Sequence, residues 1–186
     1  MQLPREIDFK TEYCDEATGI YLRPITYADT EDIVRWRNQP DVRKNFIYQK
    51  DFTKEGHETW MREQVETGKV AQFIVCDLET DKAYGSCYIR DITTEHSKGE
   101  FGMFLGEADA RGRGIGTAIQ RLSFRYGFEE LGLHRLYMRV VTGNSPSLGS
   151  CENNSVTVEG VLKDDVFING RYYDVVLLGI INPRDL

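Results

Sequence analysis

The sequence predicts a mixed α/β (α+β) fold, one mostly antiparallel sheet flanked by helices. Three observations carry that prediction. A strand-like run, Glu100-Phe101-Gly102-Met103-Phe104-Leu105, leads through the glycine-rich Arg111-Gly112-Arg113-Gly114-Ile115-Gly116-Thr117 into a run whose Ile115, Ile119, Leu122 and Tyr126 share one helical face. Residues 70–76 and 85–89 are apolar, β-branched or aromatic runs divided by the polar residues 77–82, the pattern of a hairpin. Near the end, the turn signal Asn169-Gly170 separates short strand candidates at 161–163 and 166–168 from the strong strand 172–180.

In chain order, residues 1–19 are polar and acidic without a sustained period, so they are expected to form an N-terminal extension to a domain spanning 20–186. Residues 20–25 read as the first strand. Asp29 or Thr30 can cap a helix with Ile33, Val34 and Trp36 on its apolar face, and Pro40 stops it. Thr53 is the N-cap of a second helix, with Glu55 and Glu58 in its first turns, Trp60, Met61 and Val65 further along, and Gly68 at its end. After the hairpin, the central strand and the glycine loop, Gly132 closes the long helix and residues 135–141 form the next strand. Ser145-Pro146-Ser147-Leu148-Gly149-Ser150 is a poor helix former, so the segment around Cys151 is expected to be a weak helix or loop-like.

A chain of 186 residues is long enough to bury one real core, and nothing divides it in two. The net charge of -7 argues against general nucleic-acid or anionic-membrane binding and is compatible with a cationic substrate. No apolar run approaches membrane-spanning length and Met1-Gln2-Leu3-Pro4-Arg5-Glu6 lacks a signal-peptide core, so a cytoplasmic protein is expected. Cys14, Cys76, Cys87 and Cys151 lack Cys-x-x-Cys spacing, which points to reduced thiols and to neither a metal site nor a disulfide framework.

The chemistry is concentrated at the glycine loop. Glycines at a helix entrance let consecutive backbone N–H groups turn toward one point, where the helix dipole and two arginines add positive charge. That is a place for a phosphate or pyrophosphate. The loop lacks the Gly-Lys-Ser or Gly-Lys-Thr ending of a nucleoside triphosphate loop, and its third glycine comes too soon for the dinucleotide fingerprint. The pattern that fits is Arg-x-x-Gly-x-Gly on Arg111, Gly114 and Gly116. It resembles the acetyl-CoA pyrophosphate loop of the Gcn5-related N-acetyltransferases (GNATs).

The order of elements resembles the GNAT fold over residues 20–180, and Glu159-Gly160-Val161-Leu162 with Asn169-Gly170-Arg171-Tyr172-Tyr173-Asp174 is similar to its ribosomal-protein and spermidine acetyltransferase branch. The resemblance implies a sheet of about seven strands, splayed where acetyl-CoA binds as co-substrate. It implies that Met103, Phe104 and Leu105 offer backbone groups to pantetheine, that Arg111, Gly112, Arg113, Gly114, Ile115, Gly116 and Thr117 take the pyrophosphate, and that Asn144 contacts the cofactor. Glu100 resembles an acidic residue that relays the amine proton through water in some members, while His57, His96 and His134 are further candidates near the site. Many members place a tyrosine, the acid for the CoA thiolate, seven residues after the asparagine; here that position is Cys151, followed by Glu152. A thiol, with a reference pKa of about 8.5 against roughly 10 for tyrosine, can serve as that acid, or the cysteine is inert.

For the acceptor, Trp36-Arg37-Asn38 before Pro40 looks like the first-helix ending of GNATs that acetylate a nucleotide-linked amino sugar, where cationic and aromatic groups meet phosphate and base. The expected activity is therefore acetyl transfer to a primary amine of a small molecule, an amino sugar nucleotide first, with a polyamine or a protein N-terminus as alternatives. A non-catalytic CoA-binding sensor or interaction module is the reading of another class. A homodimer is left open.

Overall fold

The hairpin expected on either side of residues 77–82 forms: Ala71–Asp77 and Ala83–Thr93 pair antiparallel, Phe73 opposite Cys87. In the computed structural model, which describes residues 6–186, these are β3 and β4 of one eight-stranded sheet. Its other strands are β1 (Cys14–Asp15), β2 (Ile20–Pro24), β5 (Lys98–Leu105), β6 (Arg135–Val141), β7 (Thr157–Ile168) and β8 (Arg171–Ile181). The spatial order is β1-β2-β3-β4-β5-β6-β8-β7, and every pair is antiparallel except β5 with β6. The helices are α1 (Phe9–Glu12), α2 (Thr30–Asn38), α3 (Pro40–Arg43), α4 (Lys54–Trp60), α5 (Ile115–Glu129) and α6 (Ser145–Asn153).

Alternation along the strands divides the core between the two faces of the sheet. On β3, Phe73 and Val75 join the cluster that holds Ile115, Ile119 and Leu122 of α5. Ile74 and Cys76 point the other way and join Ile33 and Trp36 of α2 with Met61, in the π-helical turn after α4. The apolar spacing read in the sequence for α5 is thus the face it buries. Thr53 caps α4 as expected, its hydroxyl accepting from Gly56 N at 3.1 Å.

Three expectations change. Residues 1–5 of the expected extension lie outside the described residues, and the described remainder is built into the domain: β1 pairs with β2, Phe9 and Tyr13 meet the Tyr126 ring at 6.1 and 5.5 Å, and Tyr13 Oη donates to Glu130 at 3.0 Å. Apolar residues at 9 and 13 are too sparse to make a period, which is why the pattern hid them. The expected short strands at 161–163 and 166–168 belong to one continuous β7, interrupted by register shifts against β8. Ser145–Asn153, expected to be at best a weak helix, is a nine-residue helix. Asn144 Oδ1 accepts from Ser147 N at 3.4 Å and Pro146 sits in the first turn, where its missing N–H costs nothing. Leu148 and Cys151 anchor that helix in the core, and this packing outweighs the poor propensity of its serines and glycine.

Candidate functional site

β5 and β6 pair only at their beginnings, from Lys98 opposite Arg135 to Glu100 opposite Tyr137, although β5 runs on to Leu105 and β6 to Val141. Beyond Glu100 they diverge into a wedge, so β5 presents unpaired backbone groups along Phe101–Leu105 on that side while β4 covers the other. The wedge opens into a cleft of about 1340 Å³.

At the wide end of the wedge lies the glycine loop. Gly112 and Gly114 have φ of +74° and +77°, and Gly114 is the N-cap of the 15-residue α5. Those conformations suit glycine and leave the first N–H groups of α5 facing the cleft without a side-chain cap. Gly116 serves a different purpose, since a Cβ there would lie 3.0 Å from Ser150 Oγ and 3.3 Å from Met103 Cε. Its bareness lets α5, α6 and β5 meet. Arg111 lines this end and donates to Leu105 O at 3.4 Å, whereas Arg113 turns away to the Tyr84 hydroxyl at 3.5 Å. A helix start with free amides beside a cation is suited to an anion such as a diphosphate.

The opposite end is built from α2, α4 and the segment between α3 and α4. Arg37 is buried and stacks on Phe46 and Phe52, with its Cζ 3.2 and 4.4 Å from the ring centroids. It donates to Tyr48 O at 3.4 Å, its Nε has no partner, and no carboxylate pairs with it among the described residues. Burial pushes its pKa down to about 10, so it stays protonated at neutral pH. Beside it His57 is buried with Nδ1 3.1 Å from Thr30 Oγ1 and Nε2 unpartnered, and burial lowers its pKa below the ordinary histidine value. At the apex Glu100 is held by Arg90 at 3.2 Å and by two bonds from Arg139 at 3.2 and 3.3 Å.

Of the residues expected at a cofactor site, Met103, Phe104, Leu105, Arg111, Gly112, Gly114, Ile115, Gly116, Thr117 and Asn144 line this one cleft, and Arg113 does not. Glu100 and Arg37 line it too. Trp36 is a correction: it is fully buried, its Nε1 donates to Glu107 at 2.7 Å, and its indole packs against Gly106, where any Cβ would overlap it. Asn38 also stays out of the cleft. It accepts from Phe52 N at 2.9 Å and donates to Phe52 O at 2.8 Å, which positions the rings that hold Arg37. Cys151 is the second correction. Its buried sulfur lies 3.4 Å from Gln120 Nε2 and 3.8 Å from Met138 Sδ, and burial raises its pKa, so it is a core thiol and no ready acid. His96 and His134 do not line the cleft.

Sequence reasoning missed Phe46, Phe52, Tyr88, Arg139 and Gln120, all of which line the cleft, and left His57 undecided. His57 carried a signal, because it stands three and four residues before Trp60 and Met61 on the inward face of its helix. Among the described residues, no helix is long and apolar enough to cross a membrane and no group of three or more His, Cys, Asp or Glu is placed to hold a metal ion.

Residues 20–154 match the family described as "Acetyltransferase (GNAT) domain". The "Probable N-acetyltransferase YjcK" of Bacillus subtilis (strain 168) is 31% identical, over 89% of this chain and 96% of that protein. The spermidine N(1)-acetyltransferase of Escherichia coli (strain K12) is 26% identical over 91% of this chain and 90% of its own length. Among solved structures, a spermidine N-acetyltransferase from Vibrio cholerae in complex with CoA and spermine superposes with a TM-score of 0.82, covering 88% of this chain and 96% of that one at 22% identity.

Proposed function

Since this chain belongs to the GNAT acetyltransferase family, and is an acetyl-CoA-dependent N-acetyltransferase, we propose that its acceptor is a small primary amine that also carries an anionic group, a nucleotide-linked amino sugar being the class that fits best. The observation that carries this reading is Arg37, a buried cation in the cleft wall with aromatic rings in place of a counter-ion and an unpartnered Nε. A polycation would favour surplus carboxylate. Instead, Arg37, Arg90 and Arg139 face the inner cleft against the single carboxylate of Glu100, while Asp41 and Asp51 at the rim are paired with Lys44 and Arg43. His57 Nε2 adds a neutral polar group to the same wall.

The rest of the reading follows from the wedge. Backbone groups of Met103–Leu105 would pair with the amides of pantetheine, and the loop from Arg111 to Thr117 would take the diphosphate at the α5 N-terminus, with Asn144 beside it. Glu100 supplies the charge balance of the apex. Among the described residues its Oε1 accepts from Arg139 alone, which leaves a lone pair for a water that could relay the amine proton.

A polyamine acceptor is the second reading, favoured by the spermidine acetyltransferases among the relatives. Release of free CoA thiol from acetyl-CoA, followed with amino sugar nucleotides, amino sugar phosphates, spermidine and spermine, tests both. Turnover with the phosphorylated amines and none with the polyamines is the expected result; the reverse selects the polyamine. CoA binding without turnover on any amine would mark a sensor.

A further inference from the structure

With the Cys151 thiol withdrawn into the core, the cofactor end of the cleft still needs a group to hold the charge that collects on sulfur as a thioester breaks. Gln120 is placed for this. It lies one turn of α5 beyond Gly116, on the same face, and lines the cleft between the glycine loop and Met138 of β6.

Its carboxamide has one orientation. Asn154 Nδ2 faces the carbonyls of Thr117 and Ser150 at 3.0 and 3.2 Å, so that atom must be the amide nitrogen. The Gln120 atom 3.0 Å from it must then be the oxygen, Oε1. Nε2 is left to face Cys151 Sγ at 3.4 Å. Nitrogen carries two protons there, sulfur is a weak acceptor for one of them, and no acceptor for the other stands among the described residues. A carboxamide that is 1% exposed yet keeps a spare N–H in a cleft wall is a group awaiting an acceptor.

We propose that Gln120 Nε2 donates, directly or through one water, to the thioester sulfur of bound acetyl-CoA and stabilises the thiolate as it leaves, making Gln120 a catalytic residue with Asn154 and Cys151 as its positioning residues. The inference rests on the acetyl-CoA reading above. The neutral acceptor amine forms the C–N bond at the thioester carbon, and the C–S bond breaks with its electron pair on sulfur. The proton lost by the nitrogen ends on that sulfur, giving the amide and the free CoA thiol. Gln120 transfers no proton in this sequence.

The experiment compares CoA with desulfo-CoA, which lacks only the sulfur, by calorimetry on the parent, Gln120→Leu and Gln120→Glu. The parent should bind CoA several-fold more tightly, at roughly the worth of one hydrogen bond. Both variants should bring the two affinities together by weakening CoA alone, and should lower kcat roughly tenfold or more with KM for acetyl-CoA little changed. Gln120→Glu keeps the oxygen that Asn154 needs, so it serves if the leucine variant fails to fold. Equal weakening of CoA and desulfo-CoA, or parental turnover in either folded variant, overturns the assignment. Failure of the parent itself to bind CoA would overturn the acetyl-CoA reading as well.

Discussion

The guanidinium of Arg37 rests on the ring of Phe46, Cζ to centroid 3.2 Å, in a site where a counter-ion would ordinarily be expected. Ring faces offset part of the cost of burying a cation, yet they leave its charge unneutralised and its hydrogen-bond fork incomplete. An arriving phosphate or carboxylate would complete both.

Replacing that side chain separates the acceptor classes by sign. Arg37→Ala should raise KM for a phosphorylated amine by roughly tenfold or more, the worth of a charge-assisted bond of about 1.5 to 3 kcal/mol, with kcat less affected. For a polyamine the same change should leave KM unchanged or lower it. Steady-state kinetics on a variant with parental circular dichroism checks this, and unchanged KM for both classes would make Arg37 structural.

Gly114→Val places a β-branched residue at a φ of +77°. Space is not the obstacle, since the nearest atom to an added Cβ is Thr18 Cγ2 at 3.8 Å; the strain of about 1 to 2 kcal/mol comes from the left-handed backbone. Acetyl-CoA should raise the Tm of the parent and fail to do so in the variant. Equal protection in both would remove the loop from the cofactor site.

Cys151→Ala should change turnover by less than about tenfold, because the thiol does not reach the cleft, whereas loss of a general acid would cost 10² to 10⁴. It should lower stability by about 1 kcal/mol for the lost buried contact. A larger kinetic loss, measured beside Gln120→Leu, would return the cysteine to the chemistry.

His57 predicts a pH dependence of stability. Burial lowers its pKa in the folded protein, against the opposing pull of Asp29 and Glu58, so the unfolded chain takes up its proton first as pH falls. Stability should therefore fall as pH drops from about 6.5 toward the lower folded value, and be unaffected by this group above that window. Thermal melts across that range should show a shallower slope in His57→Gln; an identical slope would mean that the imidazole is not held neutral.

The glycine-loop end of the cleft was legible in the sequence because its parts are contiguous: a strand, a glycine loop and the helix it feeds are one local pattern. The end built around Arg37 was not. Trp36 and Arg37 are adjacent in sequence, but a helix turns about 100° between them, and only the packing of α2 against Gly106 and Phe104 decides which one enters the core. Phe46 and Phe52 lie in an aperiodic segment whose place is set by Asn38, a contact across 14 residues. Likewise the helix at Ser145–Asn153 read only as weak because its stability lies in the cap at Asn144 and the burial of Cys151, and neither is a property of the residues taken singly.

The divergence of β5 from β6 past Glu100 has an evolutionary consequence. A receptor made of main-chain groups takes its contacts from the backbone, and asks of the side chains only that they pack and keep the strand extended. On the proposed placement of pantetheine, drift at Met103, Phe104 and Leu105 would re-tailor the cleft while the main-chain groups stay as they are. A sheet opened in this way lets the side chains around the wedge change while its main-chain geometry is kept.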